Sequence, residues 1–165
     1  MHTGATATDQ GILTGKAHLT LRLRSGLDPS IAIFADASVK HGTSLRGVPF
    51  AVEIEDVITR GKADAILVTG SSTGSPADLD EIRAARAAVE SIAERTGMRA
   101  GLVVASGVSA ENIAFYAPFV DGFIVGTSIK KEGMTNASVD RGRVRLLLQR
   151  LQESTAGRAP ISEHP

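Results

Sequence analysis

Three stretches of the chain gather residue types that bind or transform small molecules. Ser106-Gly107 follows the apolar run 102–105, and Gly126-Thr127-Ser128 follows the apolar run 123–125. Glycine lets a ligand approach the backbone closely, such turns free N–H groups, and the Ser and Thr hydroxyls add donors. Together these make a cradle suited to a phosphate. The third stretch, ADASVKHG, sets Asp36, Lys40 and His41 in one loop. An acid, an amine and an imidazole so close can move protons or hold an anion, because neighbouring charges shift one another's pKa values towards working range. The plainer alternatives are tight turns for the first two stretches and a solvated loop with a surface ion pair for the third.

These residues need strands to hold them. Runs 102–105 and 123–125 are too short for helices and suit strands buried on both faces. Between them, SAENIAFYAP offers Ser109 as a helix cap and Pro118 as a stop. Parallel strands joined through a helix cross over right-handed, so both Gly turns open at one carboxyl edge. In (β/α)8 barrels the loops after the last two strands commonly hold a phosphate. Residues 31–35 and 65–68 read as two further buried strands; Gly70, just after the second, again allows close backbone approach. The expected fold class is α/β, built of parallel (β/α) units.

Helices fill the intervals. VPFAVEIEDVITRG has helical spacing with Gly61 at its end. Ser75-Pro76-Ala77-Asp78 reads as a helix start with Ser75 as cap. Leu79, Ile82, Val89, Ile92 and Ala93 form the inward stripe of the longest helix, which Gly97 ends; Glu81, Arg86 and Glu90 fall on its wet side. The last helix spans about 140–151, with Val144, Leu147, Leu148 and Leu151 inward. The start, MHTGATATDQGILTG, reads as a loop in which Asp9 caps the next helix. AHLTLRLR alternates with period two, yet Leu19, Leu23 and Leu27 lie four apart, so strand and helix both fit. Lys130 and Lys131 lie near the second Gly turn and could add positive charge, although idle surface lysines are the commoner case. Residues 154–165 read as a disordered, Pro-containing tail after a domain spanning 1–153.

Composition narrows the function. Eighteen basic residues balance eighteen acidic ones, so no global field recruits nucleic acid or anionic lipid. There is no cysteine, which excludes disulfides, thiolate metal sites and a cysteine nucleophile. Aromatic residues make up 4% and tryptophan is absent, which leaves little for stacking on single-stranded nucleic acid. No run approaches the ~18 apolar residues of a membrane span, and a cytoplasmic location is expected. No metal or nucleotide motif is present and no cofactor is named by the residues.

Taken together, TDQGI, FADASVKHG, ADAILVTGSSTGSPADL, ASGVSAENI and DGFIVGTSIKKEG, from about Thr3 to about Leu151, resemble the BtpA/SgcQ family. The resemblance implies a (β/α)8 barrel and favours a helix from Ala17. Its cyanobacterial name implies a role in accumulating photosystem I proteins. The family is also similar at its last two strands to phosphate-binding barrels such as the tryptophan synthase alpha chain. Asp9, Gln10, Asp36, Lys40, His41, Gly70, Ser106, Gly107, Gly126, Thr127 and Ser128 fall on its recurring polar or glycine positions. Nothing here corresponds to the family's MVHLPPLPG-like N-terminal half, so the chain reads as a C-terminal half barrel. It departs further in carrying Ser44 where relatives tend to have proline, and TNASVD where they tend to NPVD. A half barrel exposes sheet edges; two copies could close one barrel, the half could persist as an open sheet, or a missing N-terminal half could precede it. The expected function is binding of a small phosphorylated metabolite, with Asp36, Lys40 and His41 as acid or base in a lyase or isomerase reaction. The alternative is a non-catalytic assembly factor.

Overall fold

The computed structural model describes residues 1–37, 42–70 and 76–156. The chain begins with a hairpin where a loop is expected: β1 (Ala5–Thr8) pairs antiparallel with β2 (Gly11–Thr14) across Asp9-Gln10. Thr8 makes the turn, its hydroxyl donating to the Gly11 carbonyl at 2.9 Å and accepting from the Gln10 N–H at 3.2 Å. Asp9 therefore sits in a turn and caps no helix. The threonines at alternate positions 6 and 8 were the available signal.

Residues Ala17–Leu27 form α1, a helix as the resemblance favours. None of its residues is buried; Leu19, Leu23 and Leu27 stay 51–68% exposed, while Leu21 packs on the core. Next come β3 (Phe34–Asp36), β4 (Gly42–Ser44), which pairs antiparallel with β1, and α2 (Phe50–Thr59). β5 (Ala65–Thr69) leads to α3 (Leu79–Thr96) and β6 (Gly101–Ala105). After the short α4 (Ile113–Tyr116) and a 3-10 turn, Ala117–Phe119, come β7 (Gly122–Ile124) and α5 (Arg141–Thr155).

Three boundaries differ from expectation. Residues 31–33 carry no strand, so β3 covers only Phe34–Asp36 where 31–35 is expected, and Phe34, 54% exposed, is not buried. Asp78, not Ser75, caps α3, its carboxylate accepting from the Asp80 N–H at 2.9 Å; Ser75 lies outside the described residues. Helix α5 runs to Thr155, past the expected end at about 151, and residues 157–165 lie outside the described set. Gly97 ends α3 in the left-handed region (φ 72°), as a glycine there can without strain.

β3, β5, β6 and β7 form one parallel sheet in that order. Because the order never reverses, right-handed crossovers keep α2, α3 and α4 on the same face. Ile54, Ile58, Ile82 and Ile92 from the helices and Ile66, Val68, Leu102 and Val104 from the strands are at most 2% exposed and form the core there. Within α3 the inward stripe runs through Ala85 and Ala88, which bring the helix close to the sheet, while Leu79 is only partly buried. On α5 only Leu147 is buried; Leu148, expected inward, is 50% exposed. The four strands do not close into a barrel.

A repeated device joins neighbouring strands. Asp64 and Asp121 each stand just before a strand, and the carboxylate of each accepts a backbone N–H beside it, from Ile33 and Leu102 respectively, both at 2.7 Å. Each also pairs with an arginine: Arg24 with Asp64 at 3.1 Å, Arg86 with Asp121 at 2.7 Å. Arg86, placed on the wet side by the sequence, also donates to the Phe119 carbonyl at 2.7 Å.

The N-terminus is seated on α2 through His2, 8% exposed, whose Nε2 lies 2.7 Å from the Gly61 carbonyl oxygen. A Cβ at Gly61 would stand 2.6 Å from the Val57 carbonyl oxygen and 2.7 Å from the His2 ring. Gly61→Ala is expected to cost about 1–3 kcal/mol through overpacking, read as a lower urea midpoint at unchanged slope; an unchanged midpoint would show that His2 is not seated there.

Candidate functional site

The loops after β6 and β7 meet at the carboxyl edge of the sheet. Between them lies a cleft of about 490 Å³ lined by Ser106, Gly107, Val108, Ser109, Asn112, Gly126, Thr127 and Ser128, with Pro76, Ala105 and Ile124 as its apolar part. The first turn is tight: Ser106 (φ 71°) and Gly107 (φ 66°) are both left-handed. For a non-glycine residue such as Ser106 that conformation costs roughly 1–2 kcal/mol and persists only where surroundings hold it.

Asn112 holds it. Its Nδ2 donates to the Gly107 carbonyl and its Oδ1 accepts the Ser109 N–H, both at 2.8 Å. Ser109 opens the short turn that leads into α4, its carbonyl accepting from the Asn112 and Ile113 N–H groups. Ser128 ties the second loop to the first, its hydroxyl donating to the Val108 carbonyl at 2.6 Å. That proton is thereby committed, so Ser128 can offer a ligand its backbone N–H rather than its hydroxyl hydrogen. From behind, Arg143 donates to the Ser128 carbonyl at 3.2 Å, and Asp140, the α5 cap, fixes the backbone N–H of Arg143. The N–H groups of Gly107, Val108, Gly126, Thr127 and Ser128 donate to no atom of the described residues. Among the described residues no charged side chain lines the cleft.

The other sequence candidates are elsewhere. Asp36 ends β3, exposed, in a separate cleft of about 130 Å³ with Thr6, Ser44, Arg46 and Glu53. Lys40 and His41 lie outside the described residues. Gly70 is buried at the end of β5 and does not line the larger cleft. Lys130 reaches the Thr135 carbonyl. Asn112 and Arg143 were not singled out from sequence; Ser109, expected as a helix cap, instead makes a turn before α4, and the signal for Asn112 was an amide three residues after it. Among the described residues no group of three or more His, Cys, Asp or Glu could hold a metal, and no helix is long and apolar enough to cross a membrane.

Two carboxylates, Glu111 and Glu81, are shifted in opposite directions. Glu111 is held below the usual range, chiefly by the Ser109 hydroxyl, then by its own backbone N–H and the charges of Arg143 and Arg150. Glu81, in the first turn of α3, is pushed up by burial and then by the charge of Asp78. Folded protein thus binds the Glu81 proton more readily than unfolded protein, and stability falls as pH rises from the ordinary glutamate value to the raised one. Glu81→Gln is expected to raise the melting temperature at pH 7, the gain vanishing below about pH 4, where both states are protonated. A gain that persists in acid would contradict this.

Comparison with known proteins places these loops in context. Residues 1–153 match the BtpA family. A Synechocystis protein named photosystem I biogenesis protein BtpA is 34% identical over 151 residues, which cover 92% of this chain and 50% of that protein. Uncharacterised proteins of Methanocaldococcus jannaschii (33% over 145 residues, 88% of this chain and 51% of the relative) and Pyrococcus horikoshii (38% over 154 residues, 92% and 55%) are similar to it as well. The chain spans about half the length of these relatives. A match over 153 consecutive residues, taking in both loops of the cleft, shows that the chain belongs to the BtpA family.

Proposed function

We propose that the cleft after β6 and β7 binds the phosphate group of a small phosphorylated metabolite, and that the sheet is the C-terminal half of a (β/α)8 wall. One observation carries the reading: five residues whose backbone N–H groups have no partner among the described residues line one concave space, from two adjacent strand ends. Such groups favour an anion without a cationic side chain. The unreversed strand order, with its helices on a single face, is the geometry of a barrel wall. Asp36, with Lys40 and His41 beside it in sequence, supplies acid and base for a lyase or isomerase reaction on a sugar-phosphate-like substrate. The site of action is the cytoplasm.

A non-catalytic assembly role, in keeping with the name of the Synechocystis relative, is the second reading. The wholly uncharged lining of the cleft, as far as the described residues form it, favours this role. Melting with inorganic phosphate and simple sugar phosphates separates the two. A binder saturated at about a hundred times Kd gains roughly 5–10 °C, whereas no shift with any of them would leave only the assembly role.

A further inference from the structure

The residues that line the cleft after β6 and β7 use their carbonyls and leave their N–H groups idle. In the first loop the Gly107 carbonyl accepts from Asn112 and the Val108 carbonyl accepts from the Ser128 hydroxyl. In the second, the Thr127 carbonyl accepts the Lys130 N–H and the Ser128 carbonyl accepts from Arg143. The N–H groups of these same four residues donate to nothing among the described residues. Asn112 also lines the cleft, and its acceptor oxygen is occupied by the Ser109 N–H. The hydroxyls of Ser106 and Thr127 have no described partner and can turn to donate. No carboxylate lines the cleft among the described residues. Residues 71–75, which precede Pro76 in sequence, are Ser, Ser, Thr, Gly and Ser, none with an ionisable side chain.

From this donor-rich, acceptor-poor lining we infer that the cleft takes its ligand as a terminal phosphomonoester in the dianionic form and disfavours the protonated one. The inference rests on the phosphate reading above and names the ionic form and the class of ester that the site selects. A dianion presents three acceptor oxygens. A proton turns one of them into a donor set among donors, with no free carbonyl or carboxylate to receive it, and removes one of the two charges that the N–H dipoles attract. Sulfate is also tetrahedral and doubly charged, and carries no proton near neutral pH, so the cleft accepts it on the same terms.

Charged groups on the neighbouring elements do not supply this preference. Glu111, before α4, is held below the usual range chiefly by the Ser109 hydroxyl, and Asp140, the α5 cap, by the backbone N–H groups of Arg143 and then Gly142. Both carboxylates are ionised above pH 5. Arg143 and Arg150 on α5 keep their charge throughout, and Lys130 and Lys131 follow the second loop. Tyr116 of α4, raised by burial and then by Asp78, stays protonated. Glu81 on α3, pushed up by burial and then by Asp78, can titrate in the range of interest. Its charge acts on sulfate as on phosphate, so sulfate isolates the proton of the ligand from those of the protein.

Calorimetric titration with methyl phosphate and with sulfate, each at pH 5 and pH 8, tests the inference. Because a phosphomonoester loses its second proton near pH 6, methyl phosphate is expected to bind about tenfold more tightly at pH 8, while sulfate changes less than about twofold. Equal affinity for methyl phosphate at both pH values, or a parallel change for sulfate, would overturn the inference and leave the phosphate reading standing. If neither anion binds at either pH, the phosphate reading falls and this inference with it. Thr127→Asp places a carboxylate in the lining at an exposed position. It is expected to weaken sulfate at least tenfold at pH 8; sulfate bound as in the wild type would overturn the inference by placing the anion elsewhere.

Discussion

Gly126→Leu is expected to abolish the phosphate-dependent rise in melting temperature while leaving the fold intact. Gly126 lines the cleft, its φ of −123° is not left-handed, and a Cβ there meets nothing within 4 Å. The new side chain therefore enters open space at the mouth of the cradle, with no clash to unfold the chain. It covers the N–H groups of Thr127 and Ser128, which are worth most when a ligand excludes water from them. Loss of two or three charge-assisted hydrogen bonds, at about 1.5–3 kcal/mol each, weakens binding by a factor of a hundred or more. Gly107→Leu would confuse the test, because the left-handed backbone at φ 66° penalises the fold itself. Retained affinity in Gly126→Leu would place the anion somewhere other than between these loops.

Asp121→Ala carries the largest expected cost to stability, about 2–4 kcal/mol. The substitution leaves the Leu102 N–H without an acceptor on a residue of 0% exposure, and strips Arg86, whose side chain is only 20% exposed, of its carboxylate partner while its bond to the Phe119 carbonyl remains. Asp121→Asn keeps an oxygen for Leu102 and should lose less, which separates the hydrogen bond from the ion pair. Asp64→Ala removes the same kind of joint on the other side of the sheet. Its effect should be smaller, since the Asp64 side chain is 50% exposed and water can replace the missing acceptor. Urea midpoints for the three variants give the order directly; an Asp121→Ala protein within about 0.5 kcal/mol of wild type, the range of ordinary surface changes, would show that the aspartate does not tie β6 to β7.

Much of the sheet was legible because short apolar runs bounded by glycine have few other places to go. Residues 65–68 and 102–105 read as buried strands and are strands, and the Gly turns after 102–105 and 123–125 do face one cleft. The helix from Ala17 was ambiguous for a physical reason: it buries nothing, so its sequence carries no core-facing stripe, and the leucines four apart lie on its outer side. The N-terminal hairpin escaped because small residues and threonines form strands only when a partner is supplied, and β4, which pairs with β1, lies more than thirty residues away. Side-chain roles were harder still. Nothing in the local pattern around Arg86 or Arg143 tells that one braces Asp121 and the other the back of the Ser128 loop; both pairings depend on how distant elements pack. Ser128 shows the converse, a hydroxyl counted toward the ligand that the fold uses to bind its own two loops together.

Backbone donors make up the proposed cradle, and backbone donors report individually. Titration of the 15N-labelled chain with inorganic phosphate, followed by amide shifts, is expected to move Gly107, Val108, Gly126, Thr127 and Ser128 together along one saturable curve, leaving the region of Asp36 still. Amides that stay fixed at saturating phosphate, or shifts gathered around Asp36 and Arg46 instead, would contradict it.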